Sequence, residues 1–130
     1  MTQWQNLPPI HHTLGGQVLA WDAAQQRLAV QYEALPAYVN PRGQVQGGML
    51  AAMLDDGMGV LAMLASAPAA ATSINLTLDF FKPCVPGQVL VKCRLKKQGS
   101  RVLHLEAEAW QGETLVARST ANFLLLPVAS

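Results

Sequence analysis

A chain of 130 residues with net charge +1 carries only 13 % charged residues, well below the roughly 25 % of an average soluble protein. That length suits one domain with a modest core, and with no Lys/Arg run beyond Lys96-Lys97 the footprint of a nucleic-acid binder is excluded. So little charge on a chain that is 51 % hydrophobic leaves apolar surface for a second copy to cover.

Residues 1–15 read as an irregular segment, with Pro8-Pro9 and His11-His12 ahead of Gly15-Gly16. The first six residues lack the basic start and apolar run of a signal peptide, so a cytoplasmic protein is expected. Two short strand-like runs, 17–22 and 27–33, flank a polar turn at 23–26. A loop follows through Pro36, Asn40, Pro41 and Gly43. Next comes an apolar helix from Gly47 to Ser66, ended by Pro68. It is apolar enough to raise the question of a membrane span. Asp55 and Asp56 near its centre cost about 2.5–3.5 kcal/mol each at a bilayer midplane, and its glycines weaken it further, so it reads as a core helix.

Everything after Pro68 has strand period. Ile74, Leu76, Leu78 and Phe80 alternate with Ser73, Asn75, Thr77 and Asp79; Val89, Val91, Cys93 and Leu95 alternate with Leu90, Lys92, Arg94 and Lys96. Two further alternating runs follow, around Leu103–Ala109 and Leu115–Phe123, separated by turns at Gly99-Ser100 and Gly112. Such runs joined by short turns predict an antiparallel meander with one apolar face. The order is β-β-α-β-β-β-β: an α+β domain spanning 1–130, with one helix covering a curved six-stranded sheet. Cys93 falls on the apolar face, and Cys84 and Cys93 read as reduced thiols. No metal-ligand spacing is present, so no metal site is expected.

The segment 46–55, Gln-Gly-Gly-Met-Leu-Ala-Ala-Met-Leu-Asp, carries the chemistry. Each glycine costs a helix about 1 kcal/mol against Ala, so a Gly pair at a helix start suggests a close approach to the backbone. Helix N-termini offer unpaired N–H groups and partial positive charge, which suit an oxygen that becomes negative during reaction. An acid two turns into an otherwise uncharged helix needs a partner or a task. Asp55 lies on a stripe of small residues with Gly48, Ala51, Ala52 and Gly59, whereas Asp56 points nearer Met53 and Val60 and reads as a buried or interface hydrogen-bond acceptor.

This order, with Asn40, Gly43, Gln46-Gly47-Gly48, Asp55 nine residues after Gln46, and Ser73 in the strand after the helix, resembles the PaaI-like acyl-CoA thioesterases of the hotdog fold. That family has His where this chain has Gln46. A Gln amide still donates a hydrogen bond but cannot carry a proton to a leaving thiolate. The resemblance covers roughly residues 30–126. It implies a hotdog fold and hydrolysis of an acyl-CoA thioester without cofactor, at sites between the chains of a homodimer or a dimer-of-dimers tetramer.

By resemblance, the Gly47 N–H polarises the thioester carbonyl, Gln46 supplies a second donor, and Asp55 is either the base that activates water or a nucleophile. Ser73 holds the water or the substrate, Asn40 orients Gln46 or contacts the substrate, and Gly48 lines the binding site. Gln46 and Gly47 of one chain are expected to face Asp55 and Ser73 of the other. The acyl group stays open among aryl and medium-chain types. Two alternatives remain: a non-catalytic acyl-CoA-binding module, and a hydratase or dehydratase, which the loss of His disfavours. His11, His12 and His104 read as structural, and none of the scattered lysines and arginines is singled out as a coenzyme A contact.

Overall fold

The computed structural model describes residues 4 and 6–127; residues 1–3 and 5, part of the segment read as irregular, lie outside that description. The elements are α1 (Pro9–Thr13), β1 (Gln17–Asp22), β2 (Arg27–Ala34), α2 (Gly47–Ser66), β3 (Ala70–Phe80), β4 (Gly87–Gln98), β5 (Val102–Gln111) and β6 (Thr114–Leu126), with a single 3-10 turn at Pro36–Tyr38. The expected β-β-α-β-β-β-β order is present. One element departs from it: α1 is a helix inside the segment read as irregular. Pro9 supplies the fixed φ of a first helical residue, a signal too short to stand out by periodicity.

The six strands form one antiparallel sheet in the order β1-β2-β4-β5-β6-β3, so β1 and β3 are its edges. Register shifts at Val18/Ala20, Ser73/Asn75, Leu95/Lys97 and Ala109/Trp110 bend the strands, and the curved sheet wraps α2. Alternate residues of the central strands turn toward the helix. Leu28, Val30 and Tyr32, Val89 and Val91, and Leu103 and Leu105 bury against Leu50, Met53, Leu54, Met58 and Leu61. Although α2 has the length and hydropathy of a membrane span, nine of its twenty residues are buried within the domain, as a core helix requires.

Gly57 sets how closely helix and sheet approach. A Cβ there would come within 2.9 Å of the Cys93 Sγ and 3.0 Å of a Val91 methyl. Cys93 and Cys84 are both buried free thiols. The opposite face of the sheet is polar: Arg94 pairs with Glu106, Arg118 with Glu108, and His104 with Asn122. His104 is thus a cross-strand partner, as its neighbours in sequence suggested.

Candidate active site

Gln46 is the N-cap of α2. Its side-chain oxygen accepts from the Met49 N–H at 3.1 Å, and its carbonyl accepts from the Met49 and Leu50 amides. The Leu50 bond is the first i→i−4 bond of the helix, and of the orphan donors before it Met49 is satisfied by Gln46 and the Gln46 N–H by the Tyr38 carbonyl. The Gly47 and Gly48 N–H groups take no partner among the described residues. Because Oε1 is committed to the cap, the Gln46 NH₂ is the end of the amide left to donate outward.

Each glycine of the pair has its own steric reason. A Cβ on Gly48 would lie 2.7 Å from the Gln46 Oε1, so only Gly lets the carboxamide fold back over the helix. One on Gly47 would meet the Phe80 ring at 3.2 Å. Phe80 ends β3, so the last residue of that strand covers the helix start.

Beside it opens a cleft of about 300 Å³, lined by Asn40, Gly47, Phe80, Phe81 and Lys82 among others. Asn40 does not bond the Gln46 side chain. Its Oδ1 accepts from the Arg42 and Gln44 amides at 2.9 and 3.2 Å, closing the loop that delivers Gln46. Gln46 is held in turn by its own N–H to the Tyr38 carbonyl. Asn40 therefore acts on Gln46 through the backbone, and it borders the cleft. A larger groove of about 580 Å³ lies where the outward-facing Arg27, Arg94 and Glu106 meet Trp21, and its lining includes none of Asn40, Gln46, Gly47, Asp55 and Ser73.

Asp55 is half-buried on the Gly48–Ala52–Gly59 side of α2. Its Oδ1 is buried without a hydrogen-bond partner among the described residues. Burial pushes its carboxyl above the usual aspartate range, and the negative charge of Asp56 adds to that push. A carboxylate so placed is a better base than one in water.

Ser73 sits on a different face from the one its sequence alternation implied. The register shift between Ser73 and Asn75 pairs Ser73 with the core residue Phe123, while Leu76 pairs with Ala121. Ile74 is the residue left over at the bulge and stands 53 % exposed. Ser73 thus shares the helix-facing side with Leu76 and Leu78, yet it stays exposed at the open end of the edge strand. A bulge cannot be seen in a period-2 pattern.

Asp56 has the buried role expected of it. Its Oδ2 accepts from His11 Nδ1 at 2.7 Å and from the Tyr32 hydroxyl at 2.6 Å. Sequence reasoning gave His11 no partner, since the contact spans 45 positions. Among the described residues no group of three or more His, Cys, Asp or Glu could hold a metal ion.

A curved antiparallel sheet around one helix, with a Gly-Gly helix start and an acid two turns in, is the hotdog fold arranged as in thioesterases. Residues 43–118 match the thioesterase superfamily, and the chain belongs to that superfamily. It is 32 % identical over 104 residues to the Pseudomonas aeruginosa protein PA0474, whose name assigns it provisionally to the esterases, with 78 % of each chain covered. A Ralstonia eutropha structure named provisionally as a thioesterase related to phenylacetic acid degradation is 36 % identical. It superposes with a TM-score of 0.89 over 94 % of this chain and 93 % of that one. The Escherichia coli PaaI protein of the phenylacetic acid degradation operon shares the fold at 19 % identity, with a TM-score of 0.82 over 95 % and 88 % of the two chains.

Proposed function

We propose that the protein is an acyl-CoA thioesterase that works as a dimer, with each site built from both chains. Gly47 and Gln46 of one protomer polarise the thioester carbonyl; Asp55 of the other, with Ser73 beside it, activates water or attacks directly. The observation that carries this reading is a separation. Gly47 and Asp55 are eight residues apart on one helix, about 12 Å along its axis at 1.5 Å per residue. A thioester carbon held at the Gly47 N–H lies beyond direct contact with Asp55 of the same helix, which supports drawing the donor and the acid of one reaction from two copies.

Two further features support it. The Asp55 Oδ1 is unsatisfied among the described residues, and edge strand β3 carries Ile74 and Phe80 more than half exposed. The Gln46 NH₂ takes the donor role that His fills in relatives of this type, and the proton for the departing thiolate then comes from water or from protonated Asp55. The 36 % identity to the Ralstonia eutropha protein named for phenylacetic acid degradation favours an aryl acyl group, with medium-chain acyl groups next.

The test is thiol release from a panel of aryl and straight-chain acyl-CoAs, with wild type and Asp55→Asn side by side. Release by wild type that falls at least about a hundredfold in a still-dimeric Asp55→Asn protein supports the reading, and the panel names the acyl class. Binding without release by wild type would point instead to a non-catalytic acyl-CoA module.

A further inference from the structure

The His11–Asp56–Tyr32 cluster is built more firmly than core packing requires. His11 is 1 % exposed, and its ring fills the space where a Gly16 Cβ would stand, 2.5 to 2.7 Å from three of its atoms. The backbone around it is fixed by Gly16 N–H to the His11 carbonyl and by Glu33 N–H to the Leu14 carbonyl. Tyr32 meets the His11 ring edge-on at 6.0 Å. Both donors converge on one oxygen, Oδ2, of a carboxylate adjacent in sequence to Asp55. Replacing a buried ionic group by an apolar one of similar size is often neutral or stabilising, so stability alone does not account for a buried acid here.

We propose that Asp56, gripped by His11 and Tyr32, is a positioning residue for Asp55: the cluster locks the rotation of the turn of α2 that carries Asp55 and fixes a carboxylate beside it. The inference rests on the reading of Asp55 as the base or nucleophile. Two donors from outside the helix, one on α1 and one on β2, hold the turn at Asp56, about 100° around the helix from Asp55. The groups facing Asp56 are His11 from α1, Tyr32 from β2, Cys93 from β4 and Asp55 on α2 itself. Burial and the charge of Asp56 both push the Tyr32 hydroxyl and the Cys93 thiol up, so both stay neutral and Tyr32 acts as a donor. Among the described residues that face Asp56, His11 is then the one able to carry an opposing charge, and α1 holds it there.

The test follows thiol release against pH for wild type, Asp55→Asn, Asp56→Asn, His11→Ala and His11→Asn. In parallel, the Asp55 carboxyl carbon is titrated by ¹³C NMR, its signal assigned with Asp55→Asn. In Asp56→Asn the Asp55 midpoint moves to lower pH, because a neutral amide replaces the charge beside it, and the acid limb of the rate profile moves with it. His11→Ala lowers kcat about tenfold with KM little changed, while His11→Asn, which keeps an N–H at the Nδ1 position, recovers most of the rate.

An unmoved Asp55 midpoint in Asp56→Asn, with Asp55→Asn inactive, overturns the proposal and leaves the thioesterase reading intact. Full activity in Asp55→Asn overturns that reading instead, and the NMR titration still decides whether Asp56 governs Asp55. If Asp56→Asn does not fold, equal kcat per folded protein in His11→Ala and wild type overturns the proposal.

Discussion

The Gln46 carboxamide oxygen occupies the space that a Cβ on Gly48 would fill, 2.7 Å away, and that same oxygen caps the helix at the Met49 N–H. The second glycine of the pair thus exists for the side chain two residues before it. Gly48→Ala expels Gln46 from the cap, a loss of about 0.5–2 kcal/mol, while Ala regains up to about 1 kcal/mol of helix propensity. These nearly cancel. The variant is therefore expected to melt within a few degrees of wild type by circular dichroism, yet its kcat should fall toward that of Gln46→Ala. Wild-type kcat in a Gly48→Ala protein would show that the oriented amide has no part in the reaction.

Asp55 gives a stability signature with a definite sign. Its carboxyl is pushed up in the folded chain by burial first and by the Asp56 charge second, so the folded state holds this proton more tightly than the unfolded one. The penalty is absent below the unfolded value of 3.8 and grows as pH rises through the folded value. Asp55→Asn should consequently raise the melting temperature at neutral pH, with the gain shrinking as pH approaches the unfolded value. Thermal melts across that window read it directly. A gain independent of pH would mean that folding leaves the Asp55 ionisation unperturbed, and a loss at neutral pH would mean the carboxylate has found a partner, such as one from a second copy.

Much of this arrangement was legible in the residues themselves. Alternation of Leu103, Leu105, Ala107 and Ala109 with His104, Glu106 and Glu108 is a local property, and so the meander and its inward face follow from it. The Gln46-Gly47-Gly48 start and the nine-residue step to Asp55 are local too. What the sequence hides is long-range or sub-periodic. The bulge at Ser73/Asn75 reverses the side on which Ser73 stands, and nothing in Thr72-Ser73-Ile74-Asn75 marks it. The five-residue α1 is shorter than a detectable period. His11 meets Asp56 across 45 positions, and its neighbours Ile10 and His12 give no hint of a buried acid.

Gly57 probes the packing that brings α2 onto the sheet. An Ala there gains up to about 1 kcal/mol of helix propensity, but its Cβ would stand 2.9 Å from the Cys93 Sγ and 3.0 Å from Val91, both fully enclosed. Overpacking of a filled core costs about 1–3 kcal/mol, and here neither neighbour is a flexible end. Gly57→Ala should lose stability in urea denaturation. Adding Cys93→Ala removes the nearer obstacle, so the double variant should be more stable than the sum of the singles by about 1 kcal/mol. Strict additivity would place the strain elsewhere.

The shared site makes a demand that a single-chain site does not. Asp55→Asn keeps Gln46, and Gln46→Ala keeps Asp55, so a heterodimer of the two holds one intact site and one doubly altered site. Each variant alone should be nearly inactive. After mixing, unfolding and refolding together, random pairing makes about half the dimers mixed, with one of two sites active, and specific activity should return to about a quarter of wild type. Ile74→Lys on the exposed edge of β3 should block the return, since a charge on an edge strand opposes pairing with another chain; size-exclusion chromatography would then find it monomeric. Refolded mixtures that stay as inactive as their parents, though dimeric, would place both halves of the chemistry in one chain and rule out a site shared between protomers.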